Sequence, residues 1–133
     1  MKKLDNFSNC LRILEQADFQ EAVTSPIYRT GVVGQFNLTF ELAWKAMQQV
    51  LQLHGVVEAA TGSPREILQL GYKVGFLQQP EVWLDMLKKR HQSVHLYNEE
   101  EVDALIQLVK DSFIPAFQTL EKTLLKKLQE AES

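Results

Sequence analysis

The sequence predicts an all-α fold, an up-down four-helix bundle with one additional short helix, over a single domain of residues 1–133. Three observations lead there. Apolar residues recur at helical spacings of three and four, and no segment sustains the period-two alternation of a strand. Leu outnumbers Val and Ile among them. Gly and Pro number only 6 and 4 in 133 residues, which favours long uninterrupted elements over loop-rich β architecture. That length is one domain's worth. It is enough to bury roughly two-thirds of the surface the unfolded chain exposes without a disulfide or structural metal.

Taken in order, Leu4, Phe7, Leu11 and Leu14 form the apolar stripe of an amphipathic helix within residues 4–20, with Asp5, Arg12, Glu15 and Gln16 off it. Pro26 ends or precedes the next element. From Gly31 to Leu53 only Glu41 and Lys45 carry charge, while Phe36, Phe40, Ala43, Trp44, Met47, Val50 and Leu51 recur at helical spacing. A helix apolar around most of its circumference is wrapped by neighbours, as a central helix or at a subunit interface. His54-Gly55 supplies its C-terminal stop. Ser63-Pro64-Arg65-Glu66 is a capping box with proline at the first helical position, opening a short helix to about Lys73. Gly71, Gly75 and Pro80 bracket a turn, and Val82, Trp83, Met86 and Leu87 then open another helix. The pattern from Glu99 to Gln129 continues for roughly 30 residues, on the order of 45 Å at 1.5 Å per residue. Pro115 should kink or break it, because proline removes a backbone donor and crowds the preceding turn. Short connections make sequential helices antiparallel.

Composition narrows the function. The single Cys10 permits no intrachain disulfide and no thiolate zinc site, which fits a reducing, cytoplasmic setting. No apolar run follows the basic start Met1-Lys2-Lys3, and no 18 consecutive apolar residues occur, so neither an export signal nor a membrane span is expected. Lys and Arg total 14 against 17 acids, a net charge of −3. Any contact with a nucleic acid must therefore come from a local site.

The segment from Lys88 to Tyr97 breaks the pattern. On the stripe begun by Trp83 and Leu87 the next positions are Arg90, Val94 and Tyr97, so Arg90 points where an apolar side chain belongs. A guanidinium drawn out of water needs an anion. Glu41, the only acid in the apolar central helix, is the structural partner; a phosphate held by bidentate hydrogen bonds is the functional one. His91 and His95 share a helix face at a spacing able to chelate a metal, but no third ligand accompanies them, and no metal or cofactor is expected. His95 is alternatively a proton-transfer group near neutral pH, or a satisfied surface histidine. Tyr97 brings a phenol beside these basic groups. No glycine-rich phosphate loop, catalytic carboxylate pair or Ser-His-Asp signature is present, so the chain is not a self-sufficient nucleotidyltransferase.

Arg90, four residues, His95, one residue and Tyr97 resemble the Arg-x4-His-x-Tyr signature of the HEPN superfamily. Phe36 to Lys45, the Ser63 to Glu66 cap and Glu81 to Leu87 resemble the branch called nucleotidyltransferase substrate-binding proteins, a likeness running from about Phe7 to Leu128. The resemblance implies a bundle that forms a homodimer with the signature helices meeting in a cleft, and a minimal nucleotidyltransferase encoded nearby as partner. In toxin–antitoxin members the HEPN subunit is a metal-independent endoribonuclease, silenced when the partner adds AMP to the signature tyrosine. Carried over by position, Arg90 binds or polarises the scissile phosphate of RNA, His95 is the general acid or base, and Tyr97 is the AMP acceptor. The alternative it leaves open is a non-catalytic subunit that presents a nucleotide or other substrate to the transferase. Three positions depart from the pattern: His91 stands where Asn is common, and Gln35 and Asn37 stand where many relatives carry Arg and Glu.

Overall fold

A computed structural model describes residues 1–93 and 98–133, and among them it contains helices and no strand. Helix α1 spans Lys2–Glu15, α2 Phe19–Thr24, α3 Pro26–Leu53, α4 Pro64–Lys73, α5 Pro80–Ser93, α6 Glu99–Leu108 and α7 Ile114–Glu132. A 3₁₀ turn, Val57–Ala60, precedes α4, and a π-helical turn, Val109–Phe113, joins α6 to α7. The all-α class is borne out.

The long helix α3 is the axis on which the others pack: α1, α2, α4, α5, α6 and α7 all contact it. Its apolar circumference supplies the reason. Phe36, Phe40, Ala43, Met47, Val50 and Leu51 are fully enclosed by the surrounding helices. Aromatic rings tie the layers together. Phe36 stacks on Phe113 at 5.2 Å, Trp83 of α5 meets Phe117 of α7 edge-on at 5.5 Å, and Phe7 of α1 meets the same Phe117 at 6.1 Å. Phe40 lies 6.2 Å from Trp83, so α3 and α5 are joined through a ring pair close to Glu41 and Arg90. Such pairs add about 0.5–1.5 kcal/mol each beyond area burial.

The expected boundaries hold where capping chemistry is explicit. Ser63 and Glu66 form the reciprocal box, with Glu66 N–H donating to Ser63 Oγ at 3.2 Å and Ser63 N–H to Glu66 Oε1 at 3.0 Å. Those bonds from Ser63 hold the Glu66 carboxyl below the usual carboxylate range. At the end of α3, Gly55 takes the left-handed conformation, and the amides of Gly55 and Val56 bond back to Gln52 and Leu51. That is the two-bond Schellman stop. Gly71 lets α4 approach α3, since a Cβ there would come within 2.6 Å of Met47 Sδ.

Three boundaries differ from the periodicity reading. The stripe of α1 ends at Glu15, and Asp18 then caps a separate short helix, accepting from the amides of Gln20 and Glu21. Helix α3 begins at Pro26 rather than Gly31; Ser25 caps it and proline occupies its first position. The interruption expected at Pro115 is present but sits just before it: regular α-helix ends at Leu108 and restarts at Ile114, with Pro115 in the first turn of α7. The π turn before it carries an Ile114 N–H to Val109 carbonyl bond, and this widened turn absorbs the donor and the space that proline denies a regular helix.

Candidate functional site

Arg90 lies in the last turn of α5 and points inward along the stripe of that helix. Trp83, Met86 and Leu87 on the same side are buried, and Arg90 continues toward α3 with its side chain 31% exposed. Its Nη2 is 3.0 Å from Glu41 Oε2, and its guanidinium lies over the Phe40 ring at 5.9 Å. Phe40 and Glu41 are adjacent on α3, so one helical turn offers the cation both a π face and a carboxylate. Glu41 is shared further: Lys45 Nζ is 3.1 Å from Oε1, and Trp44 Nε1–H donates to Oε2 at 3.3 Å. Burial pushes the Glu41 carboxyl up, but the Lys45 ammonium, the Trp44 indole and the Arg90 charge outweigh it and hold the group below the usual carboxylate range. Two cations around one carboxylate leave a net positive charge at this face.

The Arg90 backbone is held as well. Asn37, one turn before Glu41 on α3, donates from Nδ2 to Ser93 Oγ at 3.0 Å, and Ser93 Oγ donates to the Arg90 carbonyl at 2.8 Å. The Asn37 Oδ1 atom is buried and, among the described residues, has no hydrogen-bond partner. In the sequence Asn37 stands out only as a departure from the family pattern. Its spacing of four from Glu41 was the available signal.

Sequence reasoning missed Arg29, the one buried cation among the described residues. It projects from α3, donates from Nη1 to the carbonyls of Ala22 and Val23 at 3.3 and 3.2 Å, and reaches Glu99 at 3.3 Å and Asp103 at 4.0 Å with its other nitrogens. It thereby fixes the end of α2 and the start of α6. Asn98 caps α6 by accepting from the Glu101 amide at 3.1 Å. The residues just before and just after the 94–97 segment are thus both anchored to their neighbours.

His91 sits on the exposed side of the last turn of α5 and is not brought to the Arg90–Glu41 pair. His95 and Tyr97 lie outside the described residues. Among the described residues no group of three or more His, Cys, Asp or Glu side chains is arranged to hold a metal ion. No described helix is long and apolar enough to cross a membrane. Burial pushes the Cys10 thiol up, against a weaker opposing bond with Gln35, so Cys10 is a poor nucleophile. Among the described residues the site offers a partly exposed arginine, a second cation and an internal carboxylate, a set able to hold an anion.

Comparison with known proteins adds two findings. The family described as nucleotidyltransferase substrate binding protein like matches residues 2–126. A crystal structure of a Thermus thermophilus protein superposes with a TM-score of 0.72 at 28% identity, covering 92% of this chain and 98% of that one. No curated protein matches the sequence.

Proposed function

Because this chain belongs to the nucleotidyltransferase substrate-binding protein family, the branch of the HEPN superfamily that its motif resembles, we propose that it is one half of a two-protein system whose other half is a minimal nucleotidyltransferase. In this reading it is a metal-independent endoribonuclease of the cytoplasm, silenced by its partner. The ribose 2′-oxygen of RNA attacks the adjacent phosphorus and the 5′-oxygen leaves. Arg90 takes the charge that develops on the phosphoryl oxygens, and His95 moves the proton. Silencing follows when the Tyr97 phenol oxygen attacks the α-phosphorus of ATP and pyrophosphate departs.

The observation that carries the reading is Arg90 itself. It is a cation on an apolar stripe, steadied among the described residues by one carboxylate and one ring, with its side chain 31% exposed. A homodimer belongs to the proposal, and the N-terminal half of α3 supports it. Ile27 is 84% exposed, and with Leu38 and Ile13 it flanks Gly31 and Gly34, where an added Cβ would meet nothing. This stripe borders an apolar groove of about 500 Å³ lined by Ile13, Leu14, Ala17, Ile27 and Val32. A second copy presenting the same stripe would close over it, the two glycine positions permitting close helix approach.

The purified protein is expected to cleave single-stranded RNA without added metal, and His95→Ala to abolish cleavage and growth inhibition. Co-expression with the neighbouring transferase is expected to add the mass of AMP at Tyr97. The second reading, a non-catalytic subunit presenting substrate, is favoured by the family's own description. It wins if RNA stays intact, Tyr97 is unmodified in a stable complex, and His95→Ala changes nothing.

A further inference from the structure

We infer that Asn37 is a positioning residue for Arg90, acting through the Ser93 hydroxyl. The inference rests on the reading of Arg90 as the phosphate-binding group. The direction of the relay is fixed by donor count. Ser93 has a single hydroxyl hydrogen and gives it to the Arg90 carbonyl at 2.8 Å, so toward Asn37 it acts as acceptor, and the amide must present Nδ2 at 3.0 Å. That orientation turns Asn37 Oδ1 the other way, where it is buried and, among the described residues, without a partner. A buried acceptor without a donor is costly, and such atoms call for a reason. An apolar residue here would avoid the cost and suit a helix whose neighbouring positions Phe36 and Phe40 are fully enclosed. What the amide contributes at this position is the hydrogen bond from Nδ2.

What Nδ2 does becomes clear beside Glu41. Asn37, Phe40 and Glu41 are at positions i, i+3 and i+4 of α3 and share a face. Phe40 and Glu41 hold the guanidinium; Asn37, through Ser93, holds the backbone that bears it. An incoming phosphate competes with Glu41 for the same guanidinium. Once the carboxylate yields, the side-chain anchor is weakened just as the geometry begins to matter. The backbone anchor survives that exchange, so the base of the Arg90 side chain stays in place while its tip changes partner.

The test is a double-mutant cycle in the full-length protein. Asn37→Ala and Ser93→Ala are each expected to lower kcat for RNA cleavage about tenfold, since small misplacements cost large factors, with KM within about twofold. The double variant should be no slower than either single one, because both remove the same relay. Ser93→Thr, which keeps the hydroxyl, should recover most of the rate. Multiplying losses, an unchanged kcat, a loss carried by KM, or a loss that Ser93→Thr does not repair overturns the inference. If the wild-type protein cleaves no RNA, the ribonuclease reading fails on its own. The relay is then decided by amide exchange in the last turn of α5. Equal acceleration in both singles and the double supports it, and unchanged exchange overturns it.

Discussion

Arg29 and Arg90 are both drawn out of water along helix α3, and they end in different situations. Arg29 is 8% exposed, donates to two carbonyls that end α2 and to Glu99, and lies 4.0 Å from Asp103 of α6. Its charge is also well placed electrostatically, because the carbonyl end of a helix is negative. Among the described residues Arg90 touches one carboxylate and one ring, and its side chain is 31% exposed. A guanidinium carries five N–H donors. The first arginine is buried and bonded to two neighbouring helices, while among the described residues the second is held by one carboxylate and one ring and stays partly exposed. In the proposed reading the first is a structural charge and the second the group that meets the ligand.

The sharpest break between the two is expected in RNA chemistry. Arg90→Gln should slow cleavage by about a hundredfold or more, the usual cost of removing a group aimed at developing phosphoryl charge. It should also make the salt dependence of RNA binding shallower by about 0.7 in log–log slope, the share of one single-strand phosphate. Stability should fall by less than about 1 kcal/mol, because the Arg90–Glu41 pair is partly solvated. Arg29→Met should reverse that pattern. It strands the Ala22 and Val23 carbonyls and loosens α2 and α6, at a cost of about 2 kcal/mol in urea denaturation. The salt slope of RNA binding should stay as in the wild type. If both variants change stability and salt slope alike, the distinction between structural and ligand-meeting arginine collapses.

That only one of these arginines is legible in the sequence has a physical cause. Arg90 stands on a stripe set by Trp83 and Leu87, so periodicity alone shows it pointing inward, and Glu41 can be named as its partner because few charges lie in the central helix. Arg29 lies just after Pro26, ahead of Gly31 and Gly34. Two glycines near a proline read as a poor place for a helix, and a helix started at Gly31 gives Arg29 no direction. The structure begins that helix at Ser25-Pro26, so propensity yields to capping and to packing on α1 and α2. Asp18 with Glu21 three positions later carries the signature of the missed helix α2, too short to show a period. The relay from Asn37 to Ser93 is beyond reach of sequence, since it joins residues 56 positions apart and depends on the register of two packed helices. Pro115 does signal a disturbance, but the π turn that accommodates it has no periodic signature of its own.

The smallest expected effect concerns Glu41, and it refines what restraint means for Arg90. Burial raises its carboxyl, yet Lys45, Trp44 and Arg90 outweigh that and leave it below the ordinary range, so the folded chain binds this proton more weakly than the unfolded chain does. The stabilisation is therefore complete above the unfolded value, about 4.3. It is lost as pH falls through the lower folded one. Glu41→Gln should cost less than about 1 kcal/mol at neutral pH, a figure held down by solvent screening. The gap from wild type should close as the pH is lowered below the carboxylate range, measured by urea denaturation at several pH values. The same variant frees the Arg90 guanidinium from its internal competitor. RNA binding at neutral pH should then tighten by about threefold, the modest gain expected from removing a partly exposed like charge near a phosphate. Weaker binding instead would mean that the carboxylate aims Arg90 more than it occupies it, and Arg90 would then depend on Glu41 as fully as Arg29 depends on its carbonyls.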